Sequence, residues 1–364
     1  MSTSAPRQTV LAPFHQQLGA RMVPFAGWSM PVQYTSILDE HRAVRSQAGL
    51  FDVSHMGEAW VTGPDAARWL DHMMTHRFSD LVVGRARYTL LCQPDGGVVD
   101  DLIISRLAED RFLLCLNASN AAKDLAWLQS HHEGYAVEVT DASDDFALLA
   151  LQGPQAATIL QTLTSFPLET LPRLGVVETD VAKHALIISR TGYTGEDGFE
   201  LFCPVDQALA LAEAVLAAGQ PHGLVPVGLG ARDSLRLEAG YPLYGHEISE
   251  TINPLEAGLG WAIKWDKPEP FIGQEALAAI KAEGPARRLI YFTLDDRRIA
   301  RAETPVLCGD TVVGEVRSGT LSPLLNQPIG SALVQRSVTG GVAVDLRGNR
   351  ISLKVKKPPL HRPV

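Results

Sequence analysis

With 364 residues, 46% of them hydrophobic and 20% charged, the chain has enough material for two or three domains with full cores. Its formal net charge of -9 argues against a dedicated nucleic-acid binder, which needs a basic face to neutralise phosphates. Cys92, Cys115, Cys203 and Cys308 lie far apart with no C-x-x-C pair, so they signal neither a zinc site nor a disulfide framework and read as reduced, buried thiols. Met1 to Gln8 carries no apolar run and no later stretch approaches a membrane span. The expectation is a cytoplasmic protein, or a matrix protein whose leader is absent.

In chain order, Val23 to Pro31 reads as an aromatic loop punctuated by Pro and Gly, too apolar for a linker. Ser36 can cap a helix whose positions Ile37, His41, Val44 and Ala48 keep helical spacing until Gly49 stops it. Phe51 to Gly57 then turns into a strand, Glu58 to Val61. Gly63-Pro64-Asp65-Ala66-Ala67 opens a helix carrying Leu70, Met73 and Met74. The same device returns at Gly153-Pro154-Gln155-Ala156-Ala157, after the apolar strand Phe146 to Leu151, and suggests two related strand-turn-helix modules.

Between them, Pro94-Asp95-Gly96-Gly97 is turn chemistry flanked by apolar runs, Tyr88 to Cys92 and Val98 to Ile104, which predicts a hairpin. Two adjacent acids, Asp100 and Asp101, interrupt its second strand, where Asp is disfavoured. Side chains alternate across a strand, so the two point to opposite faces and at most one can enter a given pocket. A strand Phe112 to Leu116 follows, and Ser119 or Asn120 can cap a helix that ends near Gly134.

The strand Ala185 to Arg190 leads into Thr191-Gly192-Tyr193-Thr194-Gly195-Glu196-Asp197-Gly198, with Phe199 to Phe202 returning. Three glycines, a tyrosine and three carboxylates, without Gly-Lys-Ser/Thr, make no Walker loop, and the acidity would repel phosphate. A flat, nitrogen-rich ring suits the loop better: Glu200 can hold adjacent N–H donors while Tyr193 covers the face. Solvated acids on a glycine-rich surface hairpin are the alternative. A helix from about Asp206 to Ala218 follows, and another begins at Gly228-Leu229-Gly230-Ala231-Arg232-Asp233 and ends at Gly240. Asp233 stands where a dinucleotide fingerprint needs its third Gly. Arg232 and Arg236, one helical turn apart, can bind an anion or pair with internal acids such as Glu238. His72 and His76 share a helix spacing, but no Glu follows His72 as a zinc-protease motif requires. From about Pro285 the pattern changes to short strands with turns at Gly309-Asp310, Gly340-Gly341 and Gly348-Asn349, a small C-terminal β domain.

Five stretches together resemble one family, the aminomethyltransferases or T proteins of the glycine cleavage system. They are Phe25 to Pro31, Phe51-Asp52-Val53-Ser54-His55-Met56-Gly57-Glu58, Gly96-Gly97-Val98-Val99-Asp100-Asp101, Arg190 to Gly198, and Gly228 to Asp233, in the family's order and spread over almost the whole chain. The resemblance implies an α+β, three-domain, folate-binding aminomethyltransferase-like fold: residues 1–54 with 142–280 as a discontinuous folate-binding domain, residues 55–141 as a second α+β domain carrying the Asp101 hairpin, and a C-terminal β-barrel-like domain at 281–364.

It further implies a tetrahydrofolate-dependent transfer, with no metal. An aminomethyl group on the dihydrolipoyl sulfur of a carrier, the H protein, loses ammonia, and the one-carbon unit ends as 5,10-methylenetetrahydrofolate. By resemblance Asp101 is catalytic and Asp100 structural. Glu200 holds the pterin edge, Met56, Tyr88, Asn117 and Tyr193 form walls and polar contacts, and Arg232 meets the anionic portion, with Arg236 and Tyr241 as further candidate contacts. The basic cluster Arg297, Arg298 and Arg301 is a candidate dock for an acidic carrier, with a solvated face as the more ordinary alternative. The tail, Lys356 to Val364, departs from the family pattern of an aromatic residue reaching the site. Rival readings are a tetrahydrofolate-dependent demethylase and a non-catalytic folate protein of iron–sulfur assembly; the latter's Lys-Gly-Cys-Tyr-type loop reads Thr191-Gly192-Tyr193 here.

Overall fold

The computed structural model describes residues 5–361, in which short helices combine with four sheets. Two compact units are present: Met1–Trp69 with Ser79–Tyr88 and Leu102–Asp233, and Leu70–Phe78 with Thr89–Asp101 and Ser234–Val364.

In the first unit, β1 (Arg7–Gln8) and α1 (Ala12–Gln17) precede a hairpin of β2 (Arg21–Phe25) and β3 (Trp28–Gln33). The stretch read as a loop is therefore two paired strands. Their turn is Ala26-Gly27, both at positive φ (50° and 81°), which matches the twist of the flanking strands. Helix α2 (Ile37–Ser46) is capped as expected, Ser36 Oγ accepting from Asp39 N at 3.1 Å. It stops short of Ala48 and Gly49, which open the buried strand β4 (Ala48–Asp52). Pairing on both sides, with Gly49 opposite Gln152 and Val225, overrides the helical spacing there.

The first module follows: β5 (Gly57–Thr62), α3 (Ala66–Met73), the hairpin β6 (Arg85–Cys92) and β7 (Val98–Ala108), β8 (Arg111–Leu116), α4 (Ala121–Ser130) and β9 (Glu138–Asp141). Its strands order as β6-β7-β8-β5-β9. Helix α4 ends before Gly134 because side chains take its last-turn carbonyls: Ser130 Oγ donates to Trp127 O at 2.8 Å, and His131 Nδ1 meets the same oxygen at 2.8 Å.

The second module repeats the plan with β10 (Phe146–Gln152), α5 (Ala156–Gln161), the hairpin β11 (Val176–Val181) and β12 (His184–Ser189), β13 (Gly198–Pro204), α6 (Ala208–Gly219) and β14 (Leu224–Pro226). Its sheet runs β11-β12-β13-β10-β4-β14. Gly63 and Gly153 occupy matching turns, at φ 123° and 127°, and each carbonyl accepts from the residue three on at 3.0 Å. A Cβ on either would lie 2.4 or 2.6 Å from a backbone oxygen, so only glycine fits. The registers also correspond. Glu58 stands opposite Cys115 as Leu148 does Phe202, and Ser105 opposite Leu113 as Ser189 does Glu200. In this alignment Glu58 matches Leu148, Glu200 matches Leu113 and Asp101 matches Ala185. Each carboxylate belongs to one module alone.

Helix α7 (Leu229–Ala239) starts in the first unit and ends in the second. The second unit contains α8 (Gln274–Glu283) and the strands β15 (Arg287–Thr293), β16 (Pro305–Cys308), β17 (Thr311–Ser322), β18 (Gln327–Gln335), β19 (Ala343–Asp345), β20 (Arg350–Ser352) and β21 (Lys354–Lys356). They order as β20-β19-β16-β17-β18-β15-β21, and among the described residues β20 and β21 do not pair to close a barrel. Phe292, Val306, Val316, Ala332, Val334 and Val344 form its core. Leu360 is buried with Leu237, Tyr291 and Ile329, and its N–H donates to Glu238 O at 2.6 Å. Arg362, Pro363 and Val364, the end of the divergent tail, lie outside the described residues.

Candidate functional site

The glycine-rich loop between β12 and β13 is not a solvated hairpin. Arg45 from α2, 4% exposed along its side chain, pairs with Glu196 at 2.8 Å and donates to Thr194 O at 2.6 Å. Arg190 holds Asp197 through two bonds, 2.9 and 2.6 Å. Gln152, at the end of β10, accepts from Thr194 Oγ1 (2.9 Å) and donates to Thr191 O (3.0 Å). Its amide fills the space in which a Cβ on Gly192 or Gly198 would stand, at 1.9 and 2.5 Å. Two of the loop's three carboxylates are thus neutralised by arginines that tether it. Glu200 differs: it takes the Thr191 hydroxyl on Oε2 and stands half-buried opposite Ala150 and Ser189.

Around Glu200 the same unit gathers the other charged groups. The Arg232 guanidinium lies 4.7 Å over the Tyr193 ring. Burial lowers that guanidinium below the ordinary arginine value, against Glu200, Tyr193 and Cys115, which favour its charge. His55 is buried edge-on to Phe25, rings 5.6 Å apart, and burial with Arg232 nearby lowers it to about 4, so it is neutral at physiological pH. Glu58 is buried, and burial, with Asp141 and Glu200 close by, raises its carboxyl well above the usual range. The result is one cation over an aromatic ring with an acid coupled to it, flanked by two groups whose charged forms burial disfavours.

The structure therefore brings Tyr193, Glu200 and Arg232 together. Met56, Tyr88 and Asn117 are half-buried in the same unit, on the turn after β4, on β6 and just past the end of β8. Asn117 follows by two residues Cys115, which is coupled to Arg232.

In the second unit, Gly96 takes φ 92° and Asp95 Oδ1 accepts from Gly97 N at 3.0 Å, making the expected turn. Asp100 is fully buried and Asp101 partly exposed, as alternation across β7 requires. Arg236 pairs with an internal acid: it is buried against Glu247 (2.9 Å), and it donates to Ser318 Oγ (2.8 Å) and Tyr241 O (3.3 Å). Glu238 accepts from Ser322 Oγ. Arg298 is held by Asp296 through two bonds of 2.8 Å, which neutralises part of the basic cluster.

Other motifs resolve locally. Gly228 N donates to Glu40 Oε2 at 2.9 Å, so an internal carboxylate fills the N-terminus of α7, and Val32 backbone lies 2.4 Å from where a Gly228 Cβ would be. That glycine serves close packing rather than phosphate. His72 and His76 do not share a helix: α3 ends at Met73, His72 Nδ1 meets Pro270 O at 2.8 Å, and His76 Nδ1 accepts from Arg77 N at 2.8 Å. The sequence reading misses Arg45, Gln152, His55 and Glu58. Only Arg45 leaves a signal, a charge on the buried stripe of α2.

The family model described as the GCVT N-terminal domain matches residues 11–267, and that of the glycine cleavage T-protein C-terminal barrel domain matches residues 287–361. Among curated proteins, the aminomethyltransferase of Streptomyces avermitilis is 48% identical, covering 100% of this chain and 99% of that one. The aminomethyltransferase of Geobacillus kaustophilus is also 48% identical over 98% and 99%. A solved structure, the glycine cleavage system aminomethyltransferase T from Bartonella henselae, superposes with a TM-score of 0.92 at 37% identity, covering 98% of each chain. The chain belongs to the glycine cleavage T-protein family.

Proposed function

We propose that this chain is a tetrahydrofolate-dependent aminomethyltransferase of glycine cleavage, acting on the aminomethyl-dihydrolipoyl group of an H protein. The observation that carries the reading is the single loop carboxylate, Glu200, left without an arginine of its own on the loop, beside Tyr193 and Arg232. A reduced pterin offers adjacent N–H donors on a flat ring, which suits a carboxylate next to an aromatic face. Glu200 accepts those donors, Tyr193 covers the ring, and Arg232 meets the anionic portion of the molecule. Met56, Tyr88 and Asn117 complete the folate set. Arg236 acts at one remove, since Glu247 holds it, and Tyr241 is tied to Arg236 through its backbone.

Asp101 is the catalytic residue. It positions the folate amines and stabilises the positive charge that develops as ammonia departs. The carbon forms two bonds to folate nitrogens while its bonds to ammonia and to sulfur break, so the transfer needs no oxidant. Residues 1–54 with 142–280 form the folate-binding domain, 55–141 the domain carrying Asp101, and 281–364 a C-terminal domain. Arg297 and Arg301 are candidate contacts for the acidic carrier. Among the described residues no helix is long and apolar enough to cross a membrane, and we place the protein in the cytoplasm.

The test is ammonia release from aminomethyl-loaded H protein with tetrahydrofolate, comparing the wild type with Asp101→Asn. Rapid release that collapses in the variant supports the assignment. Folate binding without acceleration would redirect attention to demethylation of small N-methyl compounds.

A further inference from the structure

Glu58 has no role in the mechanism so far, yet its placement is tightly fixed. Its N–H donates to Ser143 Oγ at 3.1 Å and its carbonyl accepts from Ala142 N at 2.9 Å. The residue is 1% exposed, and its Oε1 has no hydrogen-bond partner. A buried carboxyl oxygen in that condition calls for a physical reason. The fold does not demand an acid here, since the matching residue of the second module is Leu148.

The aromatic packing shows where the side chain lies. Trp60, two residues on and therefore on the same face of β5, packs against Phe146 with ring centroids 6.0 Å apart. Phe146 meets Phe202 edge-on at 6.4 Å, and Phe202 shares a face of β13 with Glu200, two residues before it. Glu58 and Glu200 thus project from two faces held together by one aromatic stack, each one step along its strand from that stack. Two ionised carboxylates could not share that space cheaply. Burial first, and then Asp141 and Glu200, keep the Glu58 proton in place.

We infer that Glu58 is a positioning residue for Glu200. Its carboxyl group offers an O–H to the Glu200 carboxylate, directly or through one buried water, so that the ligand meets an anion whose orientation is already set. Thr191 holds Oε2 of the same carboxylate. The inference rests on the reading that Glu200 takes the pterin edge.

The experiment measures tetrahydrofolate affinity and steady-state ammonia release for the wild type, Glu58→Gln and Glu58→Leu, with infrared spectra of the first two. The Leu variant is expected to raise Kd and KM for tetrahydrofolate about tenfold, the loss appearing in KM rather than kcat. The Gln variant keeps the shape and an N–H donor, and should return affinity to within about threefold of wild type. A protonated-carboxyl stretch should be present in the wild type, absent in Glu58→Gln, and shifted by tetrahydrofolate. If the Leu variant does not fold, the Gln variant and the wild-type band decide. Unchanged affinity in the Leu variant, equal losses in both variants, or a band indifferent to tetrahydrofolate would overturn the inference. No folate binding by the wild type would instead remove the role of Glu200, and this inference with it.

Discussion

The Thr191 hydroxyl donates to Glu200 Oε2 across the loop, and this bond sets Glu200 apart from Glu196 and Asp197, which arginines occupy. Glu200 takes a hydroxyl on one oxygen with Arg232 close by, which leaves acceptor capacity for a ligand's N–H groups.

Removing that hydroxyl should therefore be felt in binding. Thr191→Val, nearly isosteric, is expected to weaken tetrahydrofolate affinity about fivefold to tenfold. Isothermal titration calorimetry checks this, and an unchanged Kd would mean the hydroxyl does not orient the acid.

Arg232 stacks on Tyr193 through a planar guanidinium, which a lysine ammonium cannot reproduce. Arg232→Lys should behave almost like Arg232→Ala, with affinity for tetrahydrofolate lowered by about tenfold or more in both. Recovery of wild-type affinity in the Lys variant would show that charge alone suffices.

The two arginine tethers differ in burial, and their contributions to stability should differ accordingly. Arg45→Met removes the guanidinium that meets Glu196 and Thr194 O and opens a pair whose Arg side chain is 4% exposed, so a loss of about 3 kcal/mol is expected. Arg190→Met breaks a pair exposed 21% and 45%, for which about 1 kcal/mol is the expectation after solvent screening. Urea unfolding of the two variants against wild type measures the contrast, and equal losses would contradict it.

His55 predicts a pH dependence of defined sign. Burial, followed by Arg232, holds it at about 4 in the folded protein against an ordinary 6.5, with Asp52 opposing. Between those values the unfolded chain binds more protons than the folded one. Stability is therefore full above pH 6.5 and is lost as pH falls toward 4, by up to about 3 kcal/mol. Denaturant midpoints at pH 7 and pH 5 should separate for the wild type and converge in His55→Gln. Asp52 acts in a lower window. Burial alone would raise its carboxyl, but the His15 bond and charge, with Ser54, hold it down, so its stabilisation is lost only as pH falls below about 4.

Gly192 links local geometry to the site. A methyl group there meets the Gln152 amide, so Gly192→Ala must displace the side chain that holds Thr191 and Thr194. Tetrahydrofolate affinity is expected to fall about tenfold, because Tyr193 and Glu200 lose their fixed frame. A variant with wild-type affinity and a repacked Gln152 would show that the loop tolerates the shift.

Much of the fold is readable from short stretches. The Ser36 cap, the two Gly-Pro helix openings and the Gly96 turn each depend on residues within a few positions of one another. The errors arise where distant residues intervene. Ala48 and Gly49 fit a helix until β10 and β14 claim them, and the Val23–Pro31 hairpin turns on Ala26, an L-residue in the left-handed region that no pattern announces. Met74 leaves the helical spacing of α3 to bridge Leu91, which separates His72 from His76.

By itself the sequence determined the family, through five ordered motifs, and the composition of the candidate site: an acid pair in a strand, a glycine-rich acidic loop and an arginine on the following helix. Only the tertiary structure decided which loop acid stays available. Glu196, Asp197 and Glu200 are equivalent in composition, and their fates diverge because Arg45, 151 residues from Glu196, is carried to the loop by the packing of α2. The same holds for Glu58, whose proton is kept by burial and by neighbours supplied from β9 and β13. Charge state and partnership are properties of the surroundings, and in this chain strand pairing over long separations builds those surroundings.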